Sequence, residues 1–139
     1  MTDPQKKKKT ILIVEDEPSV VAYLETLLQD SGYDTISAGD GVAAMEKAKA
    51  ARPDLVCLDI NLPVKSGVGF YRSLKGDPSL AATPVVIVTA VTGLGGNPRD
   101  FERFISTRKH VPPPEAFIAK PIDRADFLET LARVIEGRK

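Results

Sequence analysis

The stretch from Leu55 to Pro63, with the sequence LVCLDINLP, predicts a buried strand that ends in a carboxylate. Its first four residues are apolar without alternation, which is typical of a strand covered on both faces. Asp59 follows directly, and Pro63 cannot continue a central strand because it has no backbone N–H to donate. A carboxylate at this point is either a solvated loop residue or a reactive group on a rigid strand, and the other strand ends decide between these.

Four other short segments are expected to form strands, and most of them are continuously apolar like this one. Between them, apolar residues recur at helical spacing, as in the segment that begins at Pro18 and that Gly32 ends. Strands and helices that alternate along a chain predict an α/β domain, with a parallel sheet covered by helices on both faces. The four additional strands are expected at 11–14, 35–38, 85–88 and 117–119.

Four further helices are expected from their start signals and their apolar faces, and one of them begins at Asn97-Pro98 with Phe101, Phe104 and Ile105 on one face. Asp40 can cap a helix from about Gly41 to Ala51, and Asp123, supported by Asp126, can cap the last helix. The remaining helix follows Ser66-Gly67. The residues expected to face the core are Phe70 and Leu74 on that helix, and Phe127, Leu128, Leu131 and Ile135 on the last one.

Composition limits the classes of function that the chain can have. Its 139 residues suit one domain with a real core. Lysine plus arginine equals aspartate plus glutamate, at 19 each, so the basic excess typical of direct DNA binding is absent. No apolar run approaches the ~20 residues that span a bilayer, so we expect no membrane insertion. One cysteine and one histidine rule out an internal disulfide and a zinc site, and they suit the reducing cytoplasm.

Two segments depart from the regular pattern. Residues 1–9 contain four lysines and predict a flexible basic tail, which leaves residues 10–139 as the domain. Residues 91–115 form an extended segment between the fourth and fifth strands. It begins with a glycine-rich stretch that matches no nucleotide-binding motif, and it includes the stiff triplet Pro112-Pro113-Pro114.

Polar side chains follow four of the five predicted strands. The first strand leads into Glu15 and Asp16, the third into Asp59, the fourth into Thr89 and the fifth into Lys120. Right-handed crossovers bring the carboxyl ends of all the parallel strands to one edge of the sheet, where ligands bind. Three acids, one hydroxyl and one amine are therefore expected to meet there.

This combination of side chains suits phosphoryl transfer. Three close carboxylates repel one another unless a cation joins them, and a set of oxygen ligands favours Mg²⁺. Lys120 and Thr89 can hold anionic oxygens, and a carboxylate such as Asp59 can itself be the nucleophile that forms an aspartyl phosphate. Each of these residues alone has an ordinary structural explanation, as a cap, a loop residue or an ion-pair partner. Their joint placement on one edge of the sheet favours the interpretation as a phosphoryl-transfer site.

From about Thr10 to Ile135, the chain resembles the receiver domain of two-component response regulators. The resemblance implies a flavodoxin-like doubly wound sheet of five strands in the order 2-1-3-4-5, in a stand-alone phosphoacceptor switch that is not an enzyme in the usual sense. The matching pieces are ILIVEDEP at 11–18, Asp59 with Pro63 and Gly67 behind it, Thr89-Ala90, and FIAKP at 117–121.

The resemblance implies a phosphorylation site and a metal site. Asp59 would accept a phosphoryl group from a sensor histidine kinase or a histidine phosphotransfer protein. Asp16, Asp59 and the backbone carbonyl of Asn61 would bind Mg²⁺ (or Mn²⁺), with Glu15 acting mostly through water.

It also implies a phosphate-binding set and a switch. Lys120 would pair with a phosphoryl oxygen, while Thr89, Ala90 and Ile60 complete the phosphate-binding set. Thr89 and Phe117 would move together on phosphorylation and so change a protein-interaction surface.

The region between the fourth and fifth strands departs from the family. The span from Thr89 to Lys120 is longer than usual, in a region that members of the family often use to form homodimers, so a private interface using Phe101, Arg103 or Phe104 is the alternative. The family also implies a cis peptide bond at Lys120-Pro121.

Two other functions remain open from the sequence. One is a receiver-like interaction scaffold that is not phosphorylated. The other is a phosphohydrolase of the haloacid dehalogenase type, which works through an aspartyl phosphate. Such enzymes carry a second aspartate two residues after the nucleophile, where this chain has Asn61.

Overall fold

The computed structural model describes residues 8–59, 64–90, 115–120 and 122–137. Within these ranges, the side chains of 64–68, 89–90 and 119–120 are outside the description. The predictions about the basic tail at 1–7 and about the segment at 91–114 lie outside the described residues. The domain boundaries therefore stay predictions.

The described strands form one parallel five-stranded sheet. They are β1 (Thr10–Val14), β2 (Asp34–Ala38), β3 (Leu55–Asp59), β4 (Val85–Ala90) and β5 (Ala116–Lys120). Their order across the sheet is β2-β1-β3-β4-β5, and each neighbouring pair is parallel. This confirms the predicted flavodoxin-like α/β sheet. The central strand β3 is buried along its whole length, as its unbroken apolar run predicted.

Four helices are described, and local signals account for several of their ends. They are α1 (Pro18–Asp30), α2 (Gly41–Ala51), α3 (Val64–Gly76) and α4 (Arg124–Glu136). The Asp40 carboxylate accepts a hydrogen bond of 2.8 Å from the Ala43 N–H, and Asp123 accepts one of 3.0 Å from the Asp126 N–H, so both act as N-caps. After α1, Gly32 has a φ of 93°, a left-handed conformation that glycine adopts without strain.

The helices cover both faces of the sheet with two separate apolar clusters. Residues of α2 and α3 pack on one face against alternate residues of β1, β3 and β4, including Leu12 and Leu58. Residues of α1 and α4 pack on the other face against the remaining alternate residues, including Ile13 and Cys57. The buried helical residues are Leu24, Leu27 and Leu28 on α1, Ala44 and Ala48 on α2, Phe70, Tyr71 and Leu74 on α3, and Phe127 and Leu131 on α4.

The element boundaries differ from the sequence expectation at a few points. Helix α3 begins at Val64, so Ser66-Gly67 lies inside its first turn rather than ahead of it. A glycine there weakens helix propensity by ~1 kcal/mol but does not prevent a helix whose apolar face is buried. Strand β4 continues through Thr89 and Ala90, because both positions pair with β5.

Two acidic side chains hydrogen-bond to backbone groups at the edge of the sheet where the strands begin. Asp54 precedes β3, and its carboxylate accepts a 2.8 Å hydrogen bond from the Thr10 N–H, while its own N–H donates to the Thr10 carbonyl at 2.8 Å. Glu115 precedes β5 and pairs in the same way with Val85, at 2.7 Å and 2.9 Å. Each acid thus extends the backbone pairing of two adjacent strands by one reciprocal pair. This fixes the start of β5 against β4.

A lysine and a tyrosine on α3 support the same edge. Lys75 donates hydrogen bonds to the carbonyls of Thr83 at 2.7 Å and Ala81 at 3.2 Å, and its Nζ lies 5.7 Å from the centre of the Tyr71 ring. Tyr71 is fully buried. Burial, and then the negative charge of Glu115, raise the pKa of its phenol well above the ordinary value of 10.0. The phenol is therefore kept neutral in the folded protein.

Tyr71 is expected to make the fold sensitive to alkali. Because its pKa is higher in the folded state, the folded protein keeps this proton above pH 10 while the unfolded chain releases it. The free energy of unfolding then falls as the pH rises, by at most ~1.4 kcal/mol per pH unit for one proton. In Tyr71→Phe this contribution should be lost, so urea unfolding between pH 9 and about pH 11 should show a shallower decline.

Tyr23→Phe, on a side chain that is 48% exposed, is the matched control. A decline with pH in Tyr71→Phe as steep as in the unmodified protein would contradict this interpretation. Burial, followed by the charge of Glu136, also raises the pKa of Tyr33, so some decline should remain in Tyr71→Phe.

Candidate functional site

Two buried carboxylates lie side by side where the central strands end. Asp59 is the last residue of β3 and is 2% exposed, and Glu15, which follows β1, is also 2% exposed. Val14 pairs with Leu58 in the β1–β3 register, so the next step along both strands aligns Glu15 with Asp59. Neighbouring strands are about 4.8 Å apart, so the two acidic residues are immediate neighbours.

Glu15 is fixed by both its backbone and its side chain. Its N–H donates a 3.0 Å hydrogen bond to the Ala38 carbonyl, which continues the β1–β2 pairing beyond the end of β1. Its Oε2 accepts a 3.0 Å hydrogen bond from the N–H of Glu17. Glu17 is the N-cap residue of α1, and its own side chain makes no capping bond. The Glu15 carboxylate therefore joins the end of the sheet to the start of the first helix.

Asp16 lies between these two fixed residues and is exposed. Among the residues that the structure describes, no three acidic, histidine or cysteine side chains form a group that could hold a metal ion. Glu15 binds the backbone at the start of α1 and Asp16 lies in the exposed turn, so the role of these acids as metal ligands stays a prediction. A two-carboxylate arrangement still fits Mg²⁺, which binds one or two protein carboxylates and keeps several waters. The donor set of buried and exposed oxygens at this edge fits such a hard cation.

The predicted phosphate-binding residues of β4 and β5 lie at the same edge of the sheet as Asp59. Asp59 pairs with Val88 of β4, so Thr89 and Ala90 extend one and two positions past the Asp59 level. Ala90 pairs in turn with Lys120, the last residue of β5. The backbone thus brings the ends of β1, β3, β4 and β5 together at one edge, in the arrangement predicted from the strand pattern.

Phe117, the predicted switch aromatic, lies in the middle of β5. It pairs with Ile87, is half-buried, and packs against the apolar cluster on the α2–α3 face. A half-buried aromatic on a strand that ends near the site can rearrange without emptying the core.

Several predicted positions lie outside the described residues. They are Ile60 and Asn61 with the rest of the loop after Asp59, Pro121 with the predicted cis bond, and the segment that contains Phe101, Arg103 and Phe104. Their roles stay predictions.

Sequence reasoning missed the part that Glu17 plays. Its contribution is a backbone N–H that donates a hydrogen bond to the Glu15 carboxylate, and a backbone group has no residue-type signature. The one available signal was the spacing of an acid two residues before the N-cap of α1, which is a frequent arrangement for local side chain–backbone bonds.

Comparison with known proteins gives a consistent result. The family model described as the response regulator receiver domain matches residues 11–132. The polar-differentiation response regulator DivK of Brucella anthropi is 37% identical over 123 residues, which covers 88% of this chain and 93% of the relative. The chain belongs to the response regulator receiver domain family.

Solved structures of receiver domains share the fold. Chemotaxis protein CheY4 of Vibrio cholerae is 28% identical with a TM-score of 0.76, covering 92% of this chain and 99% of that one. The receiver domain of sensor histidine kinase PA1611 from Pseudomonas aeruginosa, described with a magnesium ion in its active site cleft, is 27% identical with a TM-score of 0.78. That match covers 94% of this chain and 99% of the other.

Family membership fixes the general role as a receiver domain of two-component signalling, a class that consists in general of signalling modules rather than enzymes. In the described part of the chain, no helix is both long enough and apolar enough to cross a bilayer.

The two buried carboxylates should destabilise the metal-free protein, because their like charges lie close together out of water. Asp59→Asn should therefore raise the free energy of unfolding in buffer with a chelator, by on the order of 1 kcal/mol, the scale of coupling between neighbouring residues. Glu15→Gln should do the same. Each variant relieves the same repulsion, so the double variant should gain less than the sum of the two single gains.

Asp34→Asn makes the same chemical change on an exposed residue and serves as the control. Strictly additive effects of Glu15→Gln and Asp59→Asn in urea unfolding would show that the two carboxylates do not interact.

Proposed function

We propose that Asp59 is the phosphoacceptor of a two-component switch. A carboxylate oxygen of Asp59 attacks the phosphorus of a phosphohistidine on a sensor histidine kinase or histidine phosphotransfer protein. The new P–O bond forms as the P–N bond breaks, and the departing imidazole takes up a proton. The observation that carries this proposal is the burial of Asp59 at the end of β3, 2% exposed and beside Glu15, in a chain of the receiver family.

A divalent cation is part of the proposed function. Asp16, Asp59, the backbone carbonyl of Asn61 and, less directly, Glu15 would hold Mg²⁺ or Mn²⁺. When bound, the ion would neutralise charge on the carboxylates and on the incoming phosphoryl oxygens. Two points support it: the adjacent buried carboxylates, which need a counter-charge, and the magnesium described in the related receiver of PA1611.

The carboxyl ends of β3, β4 and β5 supply the remaining groups. Lys120 pairs with a phosphoryl oxygen, Thr89 donates its hydroxyl to another, and the backbone N–H groups at Ala90 and Ile60 complete the set. Positive charge and N–H or O–H donors placed around the phosphoryl oxygens would stabilise the negative charge that develops there. The β4–β5 register supports this assignment, because it ends with the pair Ala90 and Lys120.

Thr89 and Phe117 relay the change to a surface that another protein contacts. Movement of Thr89 toward the phosphate leaves room for the half-buried Phe117 to turn inward, which alters the outer face of β5. The segment at 91–115 is the candidate for the partner surface, either as a homodimer contact or as a private interface for a downstream protein. We place this switch in the cytoplasm, where histidine kinases present their phosphohistidine.

Two alternatives are less well supported. Family membership and the Asn61 position, where a phosphohydrolase of the haloacid dehalogenase type has aspartate, both favour the phosphoacceptor over the hydrolase. A non-phosphorylated scaffold would give no role to two adjacent buried acids at the end of the central strands, where the burial of charge is costly.

Phosphorylation by a small donor tests the proposal directly. Incubation with acetyl phosphate and Mg²⁺ should add one phosphoryl group to the protein, measured as the intact mass at neutral pH. Asp59→Asn should show no gain, because an amide is not a nucleophile for this reaction, and a chelator should abolish the gain in the unmodified protein.

Asp34→Asn, at an exposed acid where β2 begins and thus on the opposite edge of the sheet from Asp59, should take up the phosphoryl group normally. If the unmodified protein gains no mass with acetyl phosphate, acetyl phosphate plus Mn²⁺, or a phosphorylated histidine kinase, the scaffold alternative is correct.

A further inference from the structure

Glu15 is buried at the metal-binding edge, yet one of its carboxylate oxygens binds the backbone of α1. Oε2 accepts the N–H of Glu17 at 3.0 Å, and the residue is 2% exposed. A carboxylate with an N–H donor at a helix start is also stabilised by the helix dipole. This oxygen therefore contributes to the connection between the sheet and the helix.

Hydrogen bonds fix the backbone on both sides of Asp16. On one side, the Glu15 N–H is held by the Ala38 carbonyl at 3.0 Å. On the other side, Glu17 begins α1, and its carbonyl accepts the N–H groups of Val20 and Val21 at 3.1 and 3.0 Å. Asp16 is the single residue between these fixed points, and it is exposed. Without the side-chain bond, the backbone on the C-terminal side of Asp16 would be held only through the helix.

We propose that Glu15 is a positioning residue for the metal site. It holds the Glu17 N–H and thereby fixes the backbone of Asp16, which presents its carboxylate to the cation, and it acts through this bond in addition to its charge. This inference rests on the proposed function of the site. In this role Glu15 differs from Asp16 and Asp59, which would bind the ion directly. The same role links metal binding to the order of the first turn of α1.

Two variants of similar size separate the bond from the charge. Glu15→Gln removes the charge but keeps an amide oxygen that can accept from Glu17, whereas Glu15→Met removes both. If the bond positions Asp16, the Mg²⁺ dissociation constant measured by calorimetry should rise at least ~10-fold more in Glu15→Met than in Glu15→Gln, the range known for outer-shell partners of metal ligands.

Hydrogen exchange of the Glu17 amide provides a second readout in metal-free protein. The amide should stay protected in Glu15→Gln and exchange faster in Glu15→Met, while amides in the middle of α1 should be unchanged. The same two substitutions at the exposed Glu46 of α2 are the control and should leave the Mg²⁺ affinity unaltered.

The outcomes distinguish this inference from the proposed function. No Mg²⁺ binding by the unmodified protein would overturn the metal site itself. Binding by the unmodified protein with equal losses in Glu15→Gln and Glu15→Met would overturn only the positioning role, and would leave Glu15 acting through its charge. Faster Glu17 exchange without an affinity difference would reduce the bond to a stabiliser of α1, which also contradicts the proposal.

Discussion

The burial of two acidic residues, Glu15 and Asp59, on adjacent strands is the constraint on which the rest of the site depends. Both carboxylates are 2% exposed, and they follow or end the two central strands in matched register. Burying two like charges side by side costs stability unless other groups offset the charge. Both residues lie at the edge where the strands end. A cation bound at that edge would offset their negative charge.

The opposite edge of the sheet shows how the fold supports such a site. There, Asp54 and Glu115 each use a carboxylate to complete the pairing between two strand starts, and Lys75 binds the carbonyls of the loop ahead of β4. These acids are satisfied by backbone N–H groups, so their charges stabilise the sheet. Where the strands end, Glu15 likewise binds a backbone N–H, that of Glu17, but it lies beside a second buried acid, Asp59. These contacts fix the register that brings Asp59, Thr89 and Lys120 to one edge of the sheet.

Much of the fold could be predicted from the sequence, because its signals are local. The unbroken apolar run of β3, the caps Asp40 and Asp123, and the turn at Gly32 each follow from a few neighbouring residues. The strand ends could be placed for the same reason, and with them the edge that holds Asp59. What could not be predicted depends on side chain–backbone bonds. Glu115 and Val85 are 30 residues apart in the sequence, so their hydrogen bond has no local signal. The donor to Glu15 is the backbone N–H of Glu17, a group that every residue except proline has.

Chemical trapping of the phosphorylated residue is the most direct test of Asp59 as the phosphoacceptor. Sodium borohydride reduces an aspartyl phosphate to homoserine with loss of phosphate, and peptide mass spectrometry then locates the homoserine. After treatment with acetyl phosphate and Mg²⁺, homoserine is expected at position 59 and at no other aspartate. Homoserine at position 16 or elsewhere, or a phosphorylated protein with aspartate intact at 59, would contradict the assignment of Asp59.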